Sequence, residues 1–548
     1  MTTMKQIFKQ IILSAAALAV VGCSLDRLPE TTLTDSNFWQ SETDLRGACN
    51  RLYQQMGGQL GGFYHDYRSD ELVGNSANSI SDGSRTVPST SSDWTDPYWR
   101  INISNNILKK APNAKVTEDV LNKYLAEAYF FRAYHYFELV KRYGDVPLIT
   151  EVIESTDDPR LDSPRAPREE VLQQCYADLK FAQDNLPDID SQTWGYVSKS
   201  AALALQVRIG LYEGTRAKYH GYGSDYNAHL DKAITAAEKL IASGKHDLFP
   251  NFETLFKFEG EGRANKEAIF VKQYGPNGAG TTVHGNCRQL ENTVNLTKNI
   301  VDLFLYTDGL PEGKTAVKPE VVDSYNASFI NRDPRMDFTC VQANADFVPG
   351  KGVFRTFFES AKGYKIHKGF IGTEWSSNSK ETVDKMVIRY AEVLISYAEA
   401  LYERNGSITD DQLDKTVNKL RARVGFPVML TNAFVSANGL NMRDEIRRER
   451  TVEFIDEGMR YDDIMRWKIA ENVLPVTLLG AKYNADETNA AYNDLKPVLD
   501  ANDYYIIEKA ANRVFDPKKD YLYPVPLKEI SLTGGAVTQN PGWKATED

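Results

Sequence analysis

Apolar side chains return at helical spacing in three pairs of segments, and this repeated helix-turn-helix pattern constrains the fold of the 548-residue chain more than any other feature. In residues 121–143, Leu125, Ala128, Tyr129, Ala133, Tyr136, Phe137 and Val140 fall on one face. The segment stops at Gly144-Asp145-Val146-Pro147. A second helix is expected over residues 167–185, with proline in its first turn and Glu169 and Glu170 near its positive end. The next pair covers residues 198–212 and 226–243, where Ala201, Ala202, Ala204, Ala233, Ala236 and Ala237 let two helices approach closely. The third covers residues 386–404 and 411–424, parted by the helix-ending Asn405-Gly406.

Units of this kind resemble tetratricopeptide repeats, which stack to bury a shared core. Their unequal separations rule out a regular array. The expected fold is mainly α: a tetratricopeptide-like helix-hairpin scaffold over about residues 101–260 and 386–470, with large loop-rich insertions at about 57–100 and 275–385 and a few short strands. Residues 57–95 and 275–285 are rich in Gly, Ser and Asn, and residues 311–382 have little helical periodicity. Long insertions on a rigid scaffold are where binding residues concentrate.

The chain starts with a targeting signal. Lys5 and Lys9 precede an uncharged run over residues 11–21, which is too short to span a bilayer and reads as a secretory h-region. It ends in Val20-Val21-Gly22-Cys23, which resembles a bacterial lipobox. Cleavage before Cys23 would leave that cysteine lipidated at the head of a single domain, residues 23–548, held to the membrane by acyl chains. A net charge of −11 argues against nucleic acid as a partner. Cys49, Cys175, Cys287 and Cys340 are scattered without C-x-x-C spacing and read as small buried apolar residues. No H-E-x-x-H, G-x-S-x-G, Walker A or EF-hand pattern occurs, so neither a metal nor a cofactor is expected, although a calcium ion held by loop oxygens stays open.

Two C-terminal blocks are the most specific signal: RRERTVEFIDEGMRYDDIMRW at 447–467, and YLYPVPLKEI at 521–530 followed by QNPGW at 539–543. With the lipobox, DRLPE at 26–30 and RYAEVLISYAEAL at 389–401, they resemble the SusD/RagB family of Bacteroidota. The resemblance implies an outer-membrane lipoprotein facing the cell exterior, whose helical scaffold forms a lid over a SusC-like TonB-dependent transporter. It implies capture of an oligosaccharide or other nutrient without cleavage.

Taken by itself, the charged block reads as a salt-bridged helix. Glu449, Glu453 and Glu457 recur every four residues, Arg450 can meet Glu453, Arg460 can meet Glu457 and Asp462 can meet Arg466, with Phe454 and Ile464 packed inward. Two alternatives stand beside nutrient capture. One is a surface glycoside hydrolase using carboxylates such as Glu453 and Glu457; the other is a helical-repeat adaptor with no small ligand. YLYPVP reads as an extended tail segment.

Sugars present flat C–H faces and a rim of hydroxyls, so a carbohydrate site needs exposed aromatic platforms with polar neighbours. The best cluster is SSDWTDPYWRINISNN, with Trp94, Tyr98, Trp99 and Asn102, after a loop carrying Asp70 and Arg85. The family resemblance implies a sugar-site role for Trp99 and Asn102, which keep the tryptophan-to-asparagine spacing of starch-binding relatives. Tyr274 and Trp375 stand among loop-forming residues and are further platform candidates. The competing readings place Tyr98 and Trp99 in the core and make Asp70 and Arg85 a surface ion pair.

Overall fold

The computed structural model describes residues 38–56, 65–74, 76–223, 225–275, 283–356, 362–489 and 497–546. The leader and Cys23 lie outside these residues. Among the described residues, eight helices have eight or more residues: α1 (Glu42–Gln54), α2 (Ser92–Lys110), α3 (Glu118–Tyr143), α4 (Arg168–Asn185), α5 (Lys199–His220), α6 (Tyr226–Ala242), α7 (Tyr390–Asn405) and α8 (Met442–Glu453). Each of α2 to α6 packs on its successor, and α7 closes on α5 and α6. The molecule is mainly helical with tetratricopeptide-like packing, as the periodicity implied.

The helix ends follow local chemistry. Ser198 caps α5 by accepting from the Ala201 amide, and Gly406 ends α7 in the left-handed conformation at φ 72°. The six alanines expected at close approaches are all buried. Helix α5 runs past the expected end at residue 212 to His220, and Gly210 and Gly214 within it let α6 lie close against it. A Cβ on Gly210 would meet the His229 carbonyl oxygen at 2.7 Å, and one on Gly214 the Leu230 side chain at 2.7 Å.

Three expectations need correction. Residues 386–389 do not begin a helix: β5 (Lys385–Arg389) pairs antiparallel with β2 (Ala268–Lys272) and delivers the chain to α7. The helix expected over 411–424 is two short ones, Asp410–Asp414 and Val417–Arg423, broken where Thr416 leaves helical geometry at φ −130° and ψ −94°. Helix α2 begins at Ser92, inside what composition marked as an insertion.

The remaining strands are short: β1 (Leu72–Val73), β3 (Asn295–Leu296) and β4 (Tyr364–Lys365) form one antiparallel sheet in the order β1-β3-β4, and β6 (Leu478–Lys482) pairs with β7 (Tyr504–Glu508). One hydrophobic core joins α1 to α5 with the C-terminal tail through Phe515, Tyr521, Tyr523 and Val525. A second lies under the three-stranded sheet, and a third between α7 and α8. Cys49, Cys175, Cys287 and Cys340 are free and buried within these cores. The tail is packed as its prolines suggested: the Tyr523 amide donates to the Arg142 carbonyl at 2.7 Å.

Candidate functional site

Helix α2 carries its side chains in two stripes. Trp94, Pro97, Ile101, Asn105 and Ile107 are buried, whereas Trp99, at 44 % exposure, leads an outward stripe continued by Asn102, Asn106 and Lys110 at helical spacing. The inner stripe fixes the outer one. Trp94 packs edge-on against Tyr143 at 4.9 Å, and the Tyr98 hydroxyl donates to the Pro147 carbonyl at 2.9 Å. Burial pushes the Tyr98 phenol far above its ordinary pKa, so it stays a neutral donor.

Two asparagines hold the following segment along this helix. The Asn105 amide donates to the carbonyls of Ile149 at 3.1 Å and Glu151 at 3.0 Å, and Asn102 Oδ1 accepts from the Ile153 amide at 3.0 Å. The segment therefore forms a fixed wall beside Trp99. Helix α1 forms the opposite wall through Ala48 and Arg51, with the Arg51 guanidinium 5.7 Å from the Trp99 ring centroid. Between them lies a cleft of about 550 Å³. A second cleft of about 310 Å³ opens on the other side of the indole, lined by Tyr98, Pro147, Leu161 and the tail residues Thr533 and Val537. Trp99, Asn102 and Ile153 border both.

The structure thus brings Trp94, Tyr98, Trp99 and Asn102 together around the smaller cleft, with Trp99 exposed and Trp94 buried. It places the other four candidates elsewhere, and none of them lines either cleft. Asp70 is 3 % exposed and accepts from Arg460 Nε and Nη2 at 2.8 and 2.9 Å, so it is an interior counter-ion rather than half of a surface pair with Arg85. Arg85 stacks between Tyr523 at 4.3 Å and Trp543 at 5.1 Å, where it fastens the tail. Tyr274 is buried edge-on against His284 at 4.6 Å. Trp375 is half-buried: its Nε1 donates to Glu291 at 2.5 Å and Arg288 covers its ring at 4.0 Å. Sequence reasoning missed Arg51 and Asn106. Asn106 follows from Asn102 once α2 is known to be helical; Arg51 reaches the site only through packing of α1.

Of the paired-carboxylate candidates, Glu453 is shut off from solvent, whereas Glu457 is half-buried and lines a small cavity away from Trp99. Glu453 is fully buried between Arg389 at 2.7 Å, Arg335 at 3.1 Å and Arg423, and Glu457 contacts Arg389 at 2.7 Å and Lys368 at 2.6 Å. Burial alone would raise the Glu453 pKa, but those guanidiniums hold it far below the carboxylate range. The local pairs read from the sequence are replaced by tertiary ones: Arg450 with Asp463 at 2.8 Å, Arg460 with Asp70, Arg466 with Glu399 at 2.6 Å and Asp462 with Lys141 at 2.5 Å. Phe454 and Ile464 do pack inward. In the two clefts beside Trp99 the lining carboxylates are Glu154, paired with Lys109 at 2.7 Å, and Glu529, one in each.

Among the described residues, His284, Glu374 and Glu381 bring potential metal-ligand atoms within 4.8 Å of one another. Their oxygens already serve the backbone. Glu381 accepts from the Cys287 amide at 2.8 and 3.1 Å, Glu374 accepts from the amides of Thr382 and Val383, and His284 Nδ1 lies 3.3 Å from Glu381. The cluster is accounted for as a clasp across the His284–Glu381 bridge.

Comparison with known proteins bears on the fold and the family. Residues 24–211 match a family described as "Starch-binding associating with outer membrane", and residues 253–543 match the SusD family. SusD-like protein P2 of Formosa agariphila is 24% identical, with 96% of this chain and 98% of that protein covered. The crystal structure of a SusD-like carbohydrate binding protein from Bacteroides fragilis superposes with a TM-score of 0.73 at 25% identity, covering 90% of this chain and 99% of that one. A laminarin binding SusD-like protein shares the fold at a TM-score of 0.62 and 20% identity, over 92% of this chain and 100% of its own. Matched over more than half its length by the family profile and by structures of the same architecture, this chain belongs to the SusD family.

Proposed function

We propose that this chain is a lipid-anchored outer-membrane protein that captures an oligosaccharide at Trp99 and delivers it, uncleaved, to a SusC-like TonB-dependent transporter. One observation carries the reading: a tryptophan 44 % exposed stands on a rigid helix between two open clefts, with asparagine amides beside it. An exposed indole costs solvation unless something flat and apolar covers it, and a pyranose ring face is such a surface. The family description and the carbohydrate-binding relatives support the ligand class and the outer-membrane setting. The lipobox at Cys23 supports the anchor, with residues 23–548 as the mature domain.

The same geometry favours holding over cutting. Hydrolysis by the two-carboxylate route needs two carboxyl groups facing one glycosidic bond, and each cleft contributes one. The test is titration of the protein with an oligosaccharide panel, followed by mass analysis of the recovered ligand. Wild type should bind at least one glycan and return it at unchanged mass. Trp99→Ala should weaken that binding by about tenfold or more, the equivalent of one lost stacking contact, without changing the circular dichroism spectrum. Shortened products, or binding indifferent to Trp99→Ala, would overturn the reading.

A further inference from the structure

We infer that the glycan taken by the Trp99 site is acidic, its carboxylate or sulfate groups being met by Arg51. This rests on the carbohydrate reading of that site and adds the charge of the ligand.

The larger cleft sets a guanidinium beside the indole. Arg51 is exposed on α1, lies over the Trp99 ring at 5.7 Å and forms no ion pair with any carboxylate among the described residues. Lys110 lines the same cleft. Asn102 has committed its Oδ1 to the Ile153 amide, which leaves its NH₂ group to donate into the cleft, and the Asn106 side chain has no hydrogen-bond partner among the described residues. The lining carboxylate, Glu154, is held by Lys109 at 2.7 Å. Among the described residues the cleft therefore holds one cation, Arg51, that is paired with no carboxylate, in a chain whose net charge is −11.

That balance distinguishes between ligands. A neutral glycan offers hydroxyls that both donate and accept, and gives the Arg51 guanidinium no anionic partner. An acidic glycan offers mainly acceptors, and the planar guanidinium fork fits a carboxylate or sulfate with two parallel N–H bonds. The cation–π contact of Arg51 with Trp99, 5.7 Å to the ring centroid, sets the fork beside the platform, so one sugar residue can cover the indole while its acidic group meets Arg51. Uronate and sulfate ester share this chemistry.

The experiment titrates the full-length protein in detergent with matched polymers: polygalacturonate against its methyl ester, and dextran sulfate against dextran. Wild type should prefer the acidic member of at least one pair by about tenfold at low salt, as expected for charge-assisted hydrogen bonds partly screened by solvent. The preferred pair identifies carboxylate or sulfate as the group read. Arg51→Gln should abolish the preference, whereas Arg51→Lys should retain part of it. Equal binding of acidic and neutral members, both lost in Trp99→Ala, overturns the inference and leaves carbohydrate capture standing. An acidic preference untouched by Arg51→Gln also overturns it. Binding unaffected by Trp99→Ala, or no binding of any acidic polymer, counts against the inference and, in the first case, against the site as well.

Discussion

Glu399 shows how individual residues in this molecule combine charge with burial. Its carboxylate is almost fully enclosed and accepts from Arg466 Nη1 and Nη2 at 2.6 and 2.7 Å and from the Trp467 indole at 2.6 Å. Burial pushes its pKa up, but Arg466, with Arg450 and Arg447, pulls it down to about 2 from 4.5. A folded-state pKa below the unfolded one stabilises the protein above about pH 4.5, and that stabilisation is lost as pH falls from there towards 2. It is on the order of 3 kcal/mol. Urea midpoints at pH 7, 4 and 2.5 check this: wild type should lose stability more steeply than Glu399→Gln, and parallel losses would contradict the linkage. These partners were not legible in the sequence. Spacing within 447–467 offered pairs three and four residues apart, whereas the structure draws counter-ions from Asp70, Lys141, Arg335, Arg389 and Glu399. Ion pairing of buried groups is set by which elements meet, and periodicity carries no information about that.

At the scale of elements, the helices with clean periodicity and clear stop or start signals, α3 with Gly144, α4 with Pro167 and α6 with Asp225, were legible almost to their ends. Ambiguity entered where one composition suits two structures. Met386-Val387-Ile388-Arg389 continues the apolar face of α7 on paper, yet β2 offers a strand partner, and both Val387 and Ile388 are buried in that pairing. Helix α2 was hidden by Pro97 and by a Ser/Asp-rich start that also suits a loop. Its start is nevertheless capped, by Ser91 accepting from the Asp93 amide. The α5–α6 contact yields a direct prediction. Gly210→Leu forces a side chain into the His229 carbonyl and Ala233, at 2.7 to 3.0 Å from its Cβ, and should cost about 2 kcal/mol or more. Gly223→Ala, with nothing within 4 Å, should cost far less. Comparison of thermal midpoints separates the two, and equal shifts would mean that the helices are not in tight contact.

Across the whole molecule, the C-terminal tail and the described parts of the insertions pack on the scaffold. Asn540 donates to the carbonyls of Tyr143 at 3.0 Å and Tyr523 at 2.7 Å, which ties the tail to the end of α3, and Thr533 and Val537 then wall the smaller cleft. The platform is therefore shared between α1, α2, the 147–154 segment and the tail, parts separated by hundreds of residues. That dispersion explains why Trp99 and Asn102 were legible as a local motif while Arg51 was not, and why Asp70, Arg85 and Tyr274, near loops in the sequence, fall inside. Anchoring gives a prediction at this scale: mass spectrometry of the mature protein should find a diacylglyceryl group on Cys23, and Cys23→Ser should release the protein from membranes. A membrane-bound Cys23→Ser protein would contradict a lipid anchor.

Oxidative footprinting of the full chain, with and without a bound oligosaccharide, tests the central claim most directly. The account predicts that the ligand protects Trp99 while leaving the oxidation of buried Trp94 and half-covered Trp375 unchanged. Trp99 oxidising equally in both states, with protection appearing at another aromatic side chain, would contradict it.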